Sequence, residues 1–193
     1  MLSLEDIGKE SDWQEVIEKK SGNTTVLHCN EFSNGIVYSN LLFETRSVSA
    51  ENIEWIQLLS ELLGKLPTQN YSFGELENAL NLHTGDFSTS FTYFIKDRDD
   101  TKILPKFRVS SKAMANQTNK MVELMTEVIC RTKFDDFERI KELLTRHQAD
   151  VDQQMKQNGL GVARTRLFSY FSNEGLLQER KNGIYYYRFI SDL

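Results

Sequence analysis

Several residue types are scarce in this chain, and each scarcity removes a class of function. Cysteine occurs twice in 193 residues, at Cys29 and Cys130, with no second cysteine near either. Without a C-x-x-C pair there is no thiolate metal site and no redox couple, so both read as small, semi-buried apolar residues suited to a reducing compartment. Histidine occurs three times, at His28, His83 and His147, and none has another His or Cys at helical ligand spacing. They read as surface or hydrogen-bonded side chains. Proline also occurs only twice, and no low-complexity segment or solenoid-period repeat is present.

No apolar run approaches the roughly 20 residues a membrane helix needs, so no membrane partner is expected. The start, Met1-Leu-Ser-Leu-Glu-Asp-Ile, lacks a basic segment followed by an apolar core, and it is too acidic for a transit peptide. A soluble protein is expected, cytoplasmic if the source is bacterial. The net charge is −5, with no Lys/Arg-rich tract, which excludes nucleic acid as a leading partner. G-x-S-x-G, Walker and G-x-G-x-x-G motifs are all missing. The acidic run Asp97-Arg-Asp-Asp lacks the glycine and distal glutamate of a calcium loop and reads as a solvated connector.

What is present is a well-patterned α+β chain. Residues 1–23 read as a lead-in or linker segment, with 24–131 as a sheet domain and 132–193 as the helical part of the same domain. Thr24 to Cys29 reads as a strand after the Ser21-Gly22-Asn23 turn. The Asn34-Gly35 turn then predicts antiparallel pairing with the run Ile36 to Thr45. That run is apolar on both faces, as a central covered strand would be. Ser49 opens a helix to about Leu63, with an apolar stripe of Ile53, Ile56, Leu59, Leu62 and Leu63; Gly64 and Pro67 stop it. Ser72 and Glu75 form a capping box for a second helix.

Phe87 to Ile95 alternates with period two, setting aromatics against Ser88, Ser90 and Thr92. Ile103 to Ser111 is a further strand, with Pro105 suggesting an edge position or a strand start. From Asn116 the pattern is helical. Met121, Leu124, Met125 and Val128 form one stripe. Asp135 with Glu138 caps a long helix carrying Phe137, Ile140, Leu144, Val151 and Met155. Another helix is expected near Val162 to Phe171, then a turn at Gly175, then an aromatic run Ile184 to Ile190 suited to burial. Strands and helices in separate blocks give an antiparallel-rich sheet with helices packed on one face.

Four further tracts lie along this frame: Ser-Ser-Lys-Ala-Met from Ser110, the Thr132 to Leu144 run, Gly-Leu-Gly-Val-Ala-Arg from Gly159, and the Asn182 to Leu193 end. With the strand-helix-turn-helix-Gly-strand order of Gly35 to Ile95, the chain resembles the repeated domain of the pitrilysin/insulinase zinc metallopeptidases, in particular the presequence-protease branch. The resemblance implies four related domains in two halves that close as a clamshell around a peptide. It also implies a catalytic domain whose H-x-x-E-H helix and a downstream Glu bind zinc. Aligned by the Pro67-Thr68 exit, the three motif positions fall on Leu58, Glu61 and Leu62. A lone carboxylate cannot retain zinc.

The expectation is therefore a non-catalytic domain from the C-terminal half, with no metal or catalytic residue of its own. Its partners would be other domains of the same polypeptide and an extended peptide substrate, with zinc held in the other half. Ser88, Ser90, Thr92, Lys106 and Arg108 are the candidate chamber-lining residues. A standalone partner or scaffold subunit of the same fold, and an unrelated enzyme with a convergent site, are the competing readings.

Overall fold

The computed structural model describes residues 14–99 and 101–193, and the chain divides into two compact units between Gly35 and Ile36. In the first, β1 (Val16–Ser21) and β2 (Thr24–Cys29) form an antiparallel hairpin, with Ser21 opposite Thr24. The hairpin straddles residue 23, where the lead-in segment was expected to end, and residues 1–13 of that segment lie outside the described residues. It also corrects the expected pairing of Thr24–Cys29 with the following run. Gly22, at φ +58°, makes a two-residue connection that closes β2 onto β1. Asn34 (φ 51°) and Gly35 (φ 76°) do turn the chain, but the turn leads out of the hairpin.

The second unit holds β3 (Ile36–Glu44), α1 (Ile53–Leu62), α2 (Phe73–His83), β4 (Asp86–Ile95), β5 (Ile103–Met114) and α3 (Thr118–Arg131). It ends with α4 (Phe137–Gln157), α5 (Gly159–Phe168), α6 (Asn173–Asn182) and α7 (Ile184–Ser191). Its sheet has the order β3-β5-β4, antiparallel throughout. The expected central strand Ile36 to Thr45 is thus an edge, and Val37, Tyr38, Leu41, Leu42 and Phe43 are exposed. Its apolar character on both faces mimics a buried strand, but period alone does not say whether a neighbour exists. Conversely, Pro105 lies in the middle strand. It is tolerated because β3 stops at the Glu44–Lys106 pair, so β5 has a single neighbour at Pro105.

Helices cover one face of this sheet. Phe107, Val109 and Ala113 of β5 are buried with Leu63 of the α1 exit, Leu76 and Leu80 of α2, and Met121, Leu124, Met125 and Val128 of α3. A second cluster joins Leu58, Leu62 and Leu66 to Leu143 and Val151 of α4 and Tyr186 and Ile190 of α7. Helix α1 therefore has two apolar stripes, one for the sheet and one for the helical end of the chain.

Local signals set the helix boundaries. Ser72 and Glu75 make the complete capping box. Ser49 does not cap α1; its hydroxyl accepts from Asn52 Nδ2 at 3.1 Å ahead of a short 3₁₀ turn. The cap of α4 is Asp136 rather than Asp135, accepting from the Arg139 amide at 3.0 Å. Phe137 then falls on the exposed side of α4 instead of its inner stripe. Gly175, expected in a turn, sits in the first turn of α6, where Ser172 accepts its amide hydrogen bond at 2.9 Å. Both cysteines are exposed rather than semi-buried. Among the described residues, no helix is long and apolar enough to cross a membrane.

Candidate functional site

Strand register decides where the expected chamber-lining residues stand. Ser88 pairs with Ser110, Ser90 with Arg108 and Thr92 with Lys106, so all of them share one face. It is the opposite face from Phe107 and Val109, which the helices cover, and from the buried Phe91. All five proposed side chains are therefore brought together. Arg108 Nε donates to Ser90 Oγ at 3.2 Å, and Lys106 Nζ donates to Glu44 Oε2 at 2.9 Å. Arg46, 2.8 Å from Glu44, joins that pair, and hydrogen bonds from Arg46 and Lys106 hold the Glu44 carboxyl down at about 2. Arg108 also acts on Lys181 at the end of α6, whose pKa is lowered first by burial and then by the guanidinium charge. The face thus offers hydroxyl donors and cations, among them Arg108, which is held by a neutral side chain rather than a carboxylate.

The three motif positions lie on α1. Leu58 and Leu62 are 4% and 9% exposed and fill the cluster against α4 and α7. At roughly 2 kcal/mol for each buried leucine, this helix contributes to stability where a metal helix would carry imidazoles. Glu61 accepts from Gln57 Nε2 at 3.2 Å and lies 3.5 Å from Lys65 Nζ. It is also 4.0 Å from Nδ1 of His147, a proximity that sequence spacing did not reveal.

His147 Nε2 lies 2.8 Å from the Tyr186 hydroxyl. Burial lowers the His147 pKa, with Glu61 opposing and Lys65 assisting. Burial likewise raises the Tyr186 phenol above its usual range. The available signal was the helical spacing of Leu143, His147 and Asp150 on α4, which puts the histidine on the face turned to α1. One carboxylate and one imidazole do not make a zinc site. Among the described residues, no group of three or more His, Cys, Asp or Glu side chains is placed to hold a metal ion. The residues present do not fit zinc, and no chemistry through it follows here.

Beside this helix a groove of about 500 Å³ runs between the α1 exit, α2, α4 and the start of β4. Glu61, Glu77 and Asp86 line it together with Lys65, Arg139 and Arg146. Arg139 is fixed there by its bond to the Lys65 carbonyl at 3.3 Å, its pair with Glu142 at 2.7 Å, and its position 4.2 Å from the centre of the Phe73 ring. Ser88 also lines the groove, so the groove meets the open sheet face at the free edge of β4. These groups can bind and orient a polar chain; they do not form a nucleophile–base pair.

Comparison with known proteins adds an independent line. The family model described as Peptidase M-16C associated matches residues 1–193. Protein HypA of Clostridium perfringens is 34% identical over 193 residues, all of this chain but 20% of that protein. Presequence protease 1, chloroplastic/mitochondrial, of Arabidopsis thaliana is 24% identical over the whole chain, which spans 18% of it. The chain therefore spans about a fifth of the length of these curated relatives. A conserved protein from Enterococcus faecalis V583 shares the fold, with a TM-score of 0.59 at 15% identity over 80% of this chain and 37% of that one.

Proposed function

The chain belongs to the Peptidase M-16C associated family, and from that premise we propose that it is a non-catalytic wall of a peptide-degrading chamber. In this reading it is one domain of a longer zinc peptidase whose two halves close around an extended peptide. The metal and the activating carboxylate belong to the other half. Residues 132–193 act as the helical part of the same domain, a reading supported by the cluster that α1 shares with α4 and α7. For a bacterial source the compartment is the cytoplasm.

The observation that carries this proposal is the division of labour on either side of the sheet. Leu58 and Leu62 commit the motif helix to packing. Ser88, Ser90, Thr92, Lys106 and Arg108 stand together on the face without that core. Hydroxyls and cations spaced along antiparallel strands suit the carbonyls and acidic side chains of an extended chain. A wall without metal still serves catalysis by excluding water and fixing the peptide near the reacting centre.

The test uses the longer polypeptide that carries this chain. Arg108→Gln with Ser90→Ala should raise KM for long peptides several-fold while leaving kcat on a short peptide within twofold. Unchanged kinetics on every substrate length would remove this face from the chamber. The alternative, a free-standing partner subunit, requires a coding sequence that stops near this length, with no H-x-x-E-H in the same frame.

A further inference from the structure

A second hollow, of about 340 Å³, lies on the helix side of the sheet, away from the face just discussed. It exists because β3 leaves the sheet after Glu44, so Ile103 and Pro105 of β5 have no third strand beside them; Phe91 of β4, one row further in, also lines it. The start of α1 supplies Ile53 and Ile56, and α6 supplies Leu176 and Leu177. Val48 and Arg46, both exposed, form the solvent side.

Polar groups at this hollow are few, and the charges among them are already matched. Arg46 pairs with Glu44 at 2.8 Å, and Arg180 Nη1 pairs with Glu54 at 3.1 Å while donating to the Ala50 carbonyl at 2.6 Å. Among the described residues, two donors at this hollow are left over. The Thr45 hydroxyl, on a residue only 9% exposed, has no hydrogen-bond partner, and neither does the buried Nε of Arg180. Leaving donors buried and unpaired is costly, so an occupant that supplies an acceptor gains from both. Because each guanidinium already faces a carboxylate, the missing acceptor is a neutral carbonyl rather than an anion.

We propose that this hollow is a binding site for a branched apolar residue within a peptide. The side chain lies against Ile53, Phe91 and Leu177, and the main-chain carbonyl accepts from Thr45 and Arg180. The volume is of the size that ligand pockets occupy, and an apolar lining with a few fixed polar groups is their usual composition. The choice of a peptide over another neutral amide rests on the peptide-holding reading above. The site includes none of Ser88, Ser90, Thr92, Lys106 or Arg108; Arg46, whose partner Glu44 also pairs with Lys106, borders both.

The experiment is a methyl NMR titration of the full chain with N-acetyl-leucine N-methylamide, followed at the Ile53, Ile56, Ile103 and Leu177 methyls. N-acetyl-leucine serves as the charged control, and a hexapeptide with a central leucine as the longer ligand. Saturable shifts with a millimolar Kd are expected for so small a probe. Thr45→Val should weaken binding at least fivefold, and Leu177→Trp should abolish it. The hexapeptide should bind more tightly than the amide. Absence of saturable shifts, or shifts that survive Leu177→Trp, would overturn the site. Tenfold tighter binding of the acid would overturn the neutral-acceptor assignment. Arg108→Gln should leave this titration unchanged, so failure of the open-face reading and failure of this one are separable.

Discussion

Replacing Glu127 by Gln should destabilise the chain in a way that depends on pH. The Glu127 side chain is 2% exposed on α3, facing the turn that joins α1 to α2. Its Oε1 accepts from the Asn70 amide at 3.1 Å. Its Oε2 accepts from Asn70 Nδ2 at 2.9 Å and Arg131 Nη1 at 2.8 Å. The same turn is tied to the α3 exit by Gln69 N donating to Arg131 O at 2.9 Å and Lys133 N donating to Pro67 O at 2.9 Å.

Burial works against ionisation, but hydrogen bonds from Arg131, Thr68 and Asn70 prevail and hold the carboxyl at about 2, below its ordinary 4.5. A glutamine amide would aim an N–H group at one of these donors. The charge-assisted bonds are worth about 3 kcal/mol together. Solvent screening through the half-exposed Arg131 reduces the loss to about 2 kcal/mol. For a chain of this size that lowers Tm by roughly 4–8 °C.

The sign follows from the lowered pKa. The contribution is fully present above 4.5 and is lost as pH falls from there toward 2. Thermal melts followed by circular dichroism should show the full difference between wild type and Glu127→Gln at pH 7 and little at pH 2.5. A difference below about 1 °C at pH 7 would refute the role assigned to these bonds.

His147 is expected to make the α1–α4–α7 contact acid-sensitive. Its folded pKa lies below the ordinary 6.5, because burial and Lys65 lower it more than Glu61 and Asp150 raise it. The unfolded chain therefore binds the proton first, and stability present above 6.5 is lost as pH falls through the folded value. His147→Gln should flatten the Tm–pH curve between pH 7 and 5; an unchanged slope would show that the histidine titrates freely. Gly183→Ala is expected to cost about 3 kcal/mol, since an added Cβ would sit 2.8 Å from Glu179 Cα and collide with its carboxylate. That carboxylate is wholly buried and accepts from the Ile184 amide at 3.1 Å and Arg166 Nη1 at 3.3 Å. A denaturant midpoint within error of wild type would contradict the crowding.

Much of this architecture was legible from local chemistry. The Ser72 capping box, the alternation of Phe87 to Ile95 and the stripe from Met121 to Val128 each depend on near neighbours, and all formed as read. Strand order was not legible in the same way. Ile36 to Glu44 carries the apolar pattern of a middle strand yet lies at an edge, because pairing is a long-range choice. The hairpin of β1 and β2 was missed although Gly22-Asn23 supplied its turn, because the charged residues Glu18, Lys19 and Lys20 disguised the strand.

On the open face, period two was enough to group Ser88, Ser90 and Thr92, and antiparallel register then set Lys106 and Arg108 beside them. The meeting of Glu61 with His147 needed two helices to pack, which no spacing within either one encodes.

The central claim is that α1 serves packing and that peptide cleavage belongs to another part of a longer protein. Its most direct test is a fluorogenic-peptide assay on the purified 193-residue chain, with and without added zinc and with a chelator. The account predicts no turnover above buffer under any of these conditions. Zinc-dependent cleavage that the chelator abolishes, and that survives repurification, would contradict it.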